Sequence, residues 1–364
     1  MRKWLQQWLR KPVMRLADKY SSRPVKERVH EALTALYHKL KTDHGKRGPV
    51  ISFDSANDSF IIFSDHHKGA KNGADDFAVA EKNYLAALDY YYQENFHLIN
   101  LGDVEELWEN LFLSIKKHNV PSFTKEALFL KAMRFTKVFG NHDLMWDNDP
   151  LAPLYIEQVY GEKLKVYEGV LLQTKVDGLP LDIFLTHGHQ GDKMSDGNWL
   201  SKWFVANIWA PMQSYLGINP NTPAYDGELK SEHNKLMYEW AAAMDNTLLI
   251  TGHTHQPIFE SLTHLERLYK QLWHATTAND LALISTLEGE ITKRKRQGQI
   301  IPDFTAYKSS YFNSGCCCFD DGTITGIEIA SGMIRLIKWS YDGNKNSERS
   351  VLEQVTLASL LIKS

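Results

Sequence analysis

The sequence predicts an α/β fold, and three observations carry that expectation. Between positions 60 and 140, short apolar runs alternate with segments of helical periodicity, the order that builds a parallel sheet with crossover helices. Polar clusters combining Gly with Asp, Asn or His stand at the ends of apolar runs, where ligand sites gather in open α/β sheets. The last runs are separated by Asp321-Gly322 and Ser331-Gly332, turn pairs that join strands into a meander.

The elements follow in chain order. Over 1–11, Trp4, Leu5, Trp8 and Leu9 alternate in pairs with Arg2, Lys3, Gln6, Gln7, Arg10 and Lys11, a two-faced helix that Pro12 ends or kinks. Such a helix packs on its own protein or lies on anionic lipid. A second helix is expected over 24–41, with Pro24 in its first turn and a stripe of Val25, Val29, Leu33, Leu36 and Leu40. Strands are expected at 60–63, 97–101 and 136–139, with helices near 76–93 and 125–133 between them. Further apolar runs lie at 170–173, 182–186, 247–251, 311–319, 323–329 and 333–339. Two helical segments interrupt them: 192–244, rich in Trp and Tyr, and the polar stretch 264–297, which ends in Lys293-Arg294-Lys295-Arg296. That basic tetrad reads as a solvated helix end. The chain therefore divides into an N-terminal helical extension (1–48), a core in two parts (49–191 and 246–340), a helical cap insertion (192–245) and a C-terminal tail (341–364).

Composition narrows the function classes. With 364 residues, 43% hydrophobic and 23% charged, the chain can bury one large core or two smaller ones, which excludes extended disorder. A net charge of −3 gives no global attraction to nucleic acid, and no nucleic-acid partner is expected. Cys316, Cys317 and Cys318 are consecutive, so they suit neither a disulfide nor a zinc knuckle. They read as reduced residues of an apolar strand, and without a basic neighbour in sequence they receive no catalytic role. No run reaches the ~18 apolar residues that span a bilayer, and the N-terminus lacks a secretory apolar region. A cytoplasmic protein is expected, with peripheral contact to the inner face of the membrane through the first helix as an added option. Oligomeric state is not legible.

The chemistry sits at the strand ends. Phe60-Ile61-Ile62-Phe63 runs into Ser64-Asp65-His66-His67, and an extended chain would put Asp65 and His67 on one side and His66 on the other. Leu98-Ile99-Asn100-Leu101 runs into Gly102-Asp103, whose carboxylate has two oxygens with which to bridge two cations. Val138-Phe139 runs into Gly140-Asn141-His142-Asp143, Leu185-Thr186 into His187-Gly188-His189, and Leu249-Ile250-Thr251 into Gly252-His253-Thr254-His255. One histidine at a strand end is more often structural than a ligand, and the chain holds 15. Five clusters together are hard to explain by packing, because grouping so many titratable side chains costs desolvation unless metal compensates them. Mixed oxygen and imidazole donors without thiolate suit Mn, Fe or Zn rather than a structural zinc site.

In order along the chain, Asp65-x-His67, Gly102-Asp103-x-x-Glu106, Gly140-Asn141-His142-Asp143, His187-Gly188-His189 and Gly252-His253-x-His255 resemble the five signature blocks of calcineurin-like metallophosphoesterases. The resemblance implies a two-sheet β-sandwich flanked by helices and a binuclear centre of two divalent ions, Mn foremost, with Fe or Zn as alternatives. It implies that Asp65, His67 and His255 hold one metal, that Asp103 bridges, and that Asn141, His187 and His253 hold the other. His142 would face the leaving-group oxygen, oriented by Asp143. The implied reaction is hydrolysis of a phosphate ester by a hydroxide between the two cations. From the residues alone, His189 could point at the site or support His187; the resemblance favours His187 as the ligand.

The substrate is less defined. Trp199, Leu200, Trp203, Phe204, Ile208, Trp209, Met212, Tyr215 and Leu216 recur at helical spacing, either a hairpin packed on the core or an apolar cap that touches a hydrophobic phosphorylated substrate. The cap and Glu106 are similar to UDP-2,3-diacylglucosamine hydrolases, which implies a lipid-linked substrate as an alternative. That branch carries Arg where His142 stands, and a more basic cap. A phosphoprotein phosphatase and a non-catalytic scaffold complete the alternatives, the scaffold requiring lost ligands that this sequence retains.

Overall fold

A computed structural model describes residues 24–43, 45–71, 75–191, 227–277, 280–296 and 308–361. The expected helix at 1–11 and the aromatic stripe of the cap lie outside the described residues. The strands are β1 (Val50–Ser52), β2 (Phe60–Phe63), β3 (His97–Leu101), β4 (Phe135–Val138), β5 (Val166–Tyr167), β6 (Gly169–Val176), β7 (Leu179–Thr186), β8 (Thr247–Thr251), β9 (Ile258–Phe259), β10 (Leu262–Thr263), β11 (Tyr311–Asn313), β12 (Ile324–Ala330), β13 (Met333–Tyr341) and β14 (Ser347–Thr356). They form two seven-stranded sheets, one ordered β1-β6-β7-β8-β11-β9-β10 and the other β14-β13-β12-β2-β3-β4-β5. The fold is the two-sheet sandwich flanked by helices.

Strand periodicity explains the layers. Successive side chains alternate faces, so Phe60, Ile62, Ile99 and Leu101 meet Leu172, Ile183, Leu185, Ile250 and Phe312 of the opposite sheet in one core. Ile61, Phe63 and Leu98, one position over, pack outward on Tyr84, Leu88, Phe123 and Ile156, which lie on the helices Glu81–Gln93, Val120–Lys131 and Ala152–Tyr160. On the other flank, Val29, Leu33, Leu36 and Leu40 of the helix Lys26–Thr42 pack with Met237 and Trp240 of the helix Gly227–Ala242 over Leu171, Phe184 and Leu249. Central strands such as β2 and β8 carry continuous apolar runs because both of their faces are covered. Among the described residues, no helix is long and apolar enough to cross a membrane.

Several boundaries differ from the sequence reading. The helix expected from 125 begins at Val120, because Pro121 suits the first turn, where its missing N–H is not needed. The apolar run at 311–319 is a strand only as far as Asn313, and it belongs to the sheet of β8 rather than to the meander. Cys316, Cys317 and Cys318 lie in the following loop. The meander is β12-β13-β14, and β14 occupies the segment read as a tail. This edge strand is half exposed, and its Val351, Leu352 and Val355 are interrupted by Glu353 and Gln354, so no apolar run announces it. The polar stretch after 264 forms the helices His264–Thr277 and Leu281–Arg296, joined by a small core of Leu268, Ala275, Leu287 and Ile291.

Topology places the site. Strands β2, β3 and β4 run parallel, as do β7, β8 and β11, so the loops leaving each set emerge together at one edge of the sandwich.

Candidate metal centre

The side chains named from sequence meet at that edge. His67 Nε2 lies 3.0 Å from His255 Nε2 and 4.0 Å from Asp103 Oδ2, and His255 Nε2 lies 3.2 Å from Asp65 Oδ1. His187 Nε2 approaches the same Asp103 oxygen, Oδ2, at 3.1 Å and stands 3.2 Å from Asn141 Oδ1. Asp103, His187 and His253 each offer a donor atom within 4.8 Å of the other two. Asp103 Oδ2 is therefore shared by the two groups of donors, while Asp103 Oδ1 accepts the His142 amide at 2.8 Å.

The backbone is strained to achieve this. Asp65, His67, Asp103, His253 and His255 have φ of 52°, 50°, 52°, 69° and 54°, the left-handed region that costs an ordinary residue about 1–2 kcal/mol. Such residues concentrate at functional sites, where the surrounding structure holds them. Asp65 and His67 reach the site by this route rather than by extending β2. His66 points the other way, as expected, and is buried against the Phe77 and Tyr84 rings. Gly140 is glycine because a Cβ there would collide with Asp103 Oδ1.

Hydrogen bonds orient the imidazoles. His67 Nδ1 donates to Glu106 Oε2 at 2.7 Å, and His187 Nδ1 donates to the Leu101 carbonyl at 2.9 Å. His142 Nδ1 donates to Glu106 Oε1 at 2.9 Å, and its ring stacks on Trp108 with centroids 3.9 Å apart. The other nitrogen, His142 Nε2, is buried without a hydrogen-bond partner. Here the structure corrects the expected role of Asp143. Its carboxylate accepts the Gly140 and Val104 amides at 2.5 and 2.9 Å, so it fixes the loop backbone, and Glu106 is the group that orients His142.

Charge follows from these contacts. Burial opposes a proton on His67, yet Glu106, Asp103 and Asp65 hold its pKa up at about 10. Burial likewise opposes a proton on His187 and His255, and their carboxylate neighbours raise both to about 9. Burial favours the neutral acid of Glu106, but His142 and His67 bring it down to about 2. Burial pushes Asp143 up to about 7, helped by the charges of Asp103 and Glu105. The pocket thus attracts positive charge. His253 is held neutral by burial and by the nearby His233 and His187, the state in which an imidazole binds metal. His189 is also neutral, lowered to about 3 by burial and by His187. Its ring centroid lies 5.4 Å from that of His187, and it belongs to none of the donor groups that could hold a metal among the described residues. A donor set of carboxylates, one amide oxygen and imidazoles, with an unpartnered nitrogen beside it, fits divalent cations.

The sequence reading missed a sixth cluster. Asn313-Ser314-Gly315 stands at the end of β11 just as the other clusters stand at the ends of their strands. Asn313 Nδ2 donates to the Gly252 carbonyl at 2.6 Å, and Ser314 Oγ lies 2.7 Å from Ser64 Oγ, which itself donates to Asp65. The loop therefore braces both the first and the fifth block. An Asn and a Gly at the end of an apolar run were the available signal. Two buried ion pairs were also unforeseen: Lys68 with Glu126, and Lys137 with Glu105 at 2.8 Å.

A family model described as calcineurin-like phosphoesterase matches residues 59–257. The chain belongs to that family, whose members are in general metal-dependent phosphoesterases. Among curated proteins none matches. Solved structures give more distant likenesses. A vacuolar protein sorting 29 structure from Cryptosporidium parvum is 10% identical, with 83% of this chain and 99% of that one covered and a TM-score of 0.32. A Staphylococcus aureus protein described as a 5′-nucleotidase, in complex with α-ketoglutarate, is 14% identical, with 83% of this chain and 54% of that one covered and a TM-score of 0.33. Scores this low bear on neither fold nor function.

Proposed function

We propose that this protein hydrolyses a phosphate ester at a binuclear metal centre. Asp65, His67 and His255 would hold one cation, Asn141, His187 and His253 the other, and Asp103 would serve both. The observation that carries the reading is the position of Asp103, which belongs with His67 to one group of donors and with His187 and His253 to another. When bound, two divalent cations supply Lewis-acid polarisation of the phosphoryl oxygens and lower the pKa of a water nucleophile. The chain supplies the rest. Glu106 fixes the Nδ1–H of His142 and leaves Nε2 to meet the leaving-group oxygen with a hydrogen bond or proton. Trp108 covers one face of that ring and keeps water from it.

His142→Ala tests this division of labour. The variant is expected to keep its metal and to lose about 10²–10⁴-fold in turnover, the usual contribution of a general acid. Hydrolysis of p-nitrophenyl phosphate and its bis ester with added Mn(II), beside metal analysis of the same samples, measures both. An unimpaired variant contradicts the role of His142, and a metal-free, inert wild type would favour a scaffold.

A further inference from the structure

The loop after β11 brings sulfur to a site otherwise made of oxygen and nitrogen. Cys318 Sγ lies 3.7 Å from His255 Nδ1, and Cys318, His67 and His255 each offer a donor atom within 4.8 Å of the other two. The cysteines have no basic neighbour in sequence, and His255, 63 residues away, is adjacent in space. Cys317, in contrast, turns away and meets the Thr325 carbonyl. The loop is well anchored. Cys317 N donates to the Asp65 carbonyl at 3.1 Å, and Gly315 N donates to Asn313 Oδ1 at 2.9 Å.

A pattern among the imidazoles indicates what the sulfur does. His67 and His187 each engage Nδ1 with an acceptor outside the donor set, Glu106 and the Leu101 carbonyl, and turn Nε2 inward. His255 also turns Nε2 inward, toward Asp65 and His67, and the atom at its Nδ1 is Cys318 Sγ. Metal-binding histidines commonly donate their second N–H to such an acceptor, which fixes tautomer and ring orientation. We propose that Cys318 is the positioning residue of His255: its sulfur accepts the Nδ1–H, and the Nε2 lone pair is left for the metal. The proposal rests on the binuclear reading and adds a thiol to the outer contacts of one of its two positions, while the other is braced by oxygen.

The test uses the full chain, stripped of metal by chelation and titrated with Mn(II) and Zn(II) by calorimetry. Cys318→Ala is expected to weaken one of two binding events about 10–100-fold, the usual effect of losing such a partner, and to leave the other unchanged. Cys318→Ser, whose hydroxyl can also accept, should restore most of the affinity, and Cys317→Ala should bind as the wild type does. The Co(II)-loaded wild type should lack a sulfur-to-metal charge-transfer band. Wild-type affinity at both positions in Cys318→Ala overturns the proposal, and so does such a band, which would make the sulfur a direct ligand; in both cases the phosphoesterase reading stands. A wild type that binds neither ion overturns both.

Discussion

Gly102 shows how little the ligand-bearing loops tolerate. Its φ is 85°, and a Cβ there would stand 2.5 Å from His187 Nδ1, the atom that donates to the Leu101 carbonyl. Alanine would combine left-handed strain of about 1–2 kcal/mol with displacement of the His187 ring. Gly102→Ala is therefore expected to unfold at lower urea than wild type even without metal, and to lose metal from the position that includes His187. Unchanged unfolding and metal content would contradict this. At this scale the sequence showed which residues gather but not which ones touch. Glu106 and Asp143 stand in neighbouring motifs with the same chemistry, and only the fold decides that Glu106 meets the His142 ring while Asp143 turns to the Gly140 and Val104 amides. Cys318 was hidden for a similar reason, since its imidazole neighbour lies 63 residues away.

At the scale of elements, legibility followed burial. Strands covered on both faces, such as Phe60–Phe63 and Thr247–Thr251, present unbroken apolar runs and were placed correctly. The edge strand β14 has no such run, and the segment after Asn313 is apolar without being a strand, because cysteines pack equally well in a loop. His97, at the start of β3, gives these sheets a pH dependence. Its pKa is lowered to about 4 by burial and by the charge of Arg134, while Nε2 pairs with Thr136 Oγ at 2.8 Å and the ring lies against Phe60. A folded pKa below the unfolded value of about 6.5 means that the unfolded chain binds the proton more readily. The stability tied to His97 is thus complete above pH of about 6.5 and is lost as pH falls toward about 4. At about 1.4 kcal/mol per pH unit, the full loss is on the order of 3 kcal/mol. His97→Gln keeps a partner for Thr136 and does not titrate. Urea unfolding from pH 7 to pH 4 should therefore show a shallower decline than wild type, and parallel profiles would contradict the assignment.

Across the whole molecule, two sheets each contribute a set of parallel strands, and the candidate ligands come from the loops at one edge of both. Asp65, His67, Asp103 and Asn141 follow strands of one sheet, while His187, His253 and His255 follow strands of the other. The inter-sheet core of Phe60, Ile62, Ile99, Leu172, Ile183 and Ile250 is therefore what sets the spacing of the two halves. The sequence showed the clusters, their strands and the reason to group them around metal; their division between two metal positions entered only through resemblance to a family, because the packing of one sheet on the other leaves no short-range signal. Metal content measured by plasma mass spectrometry on the chain reloaded with Mn(II), beside Asp103→Ala, tests that convergence most directly. The account predicts two ions per wild-type chain and loss of metal together with activity in the variant. A wild type without metal, or an Asp103→Ala chain that still holds two ions, would contradict it.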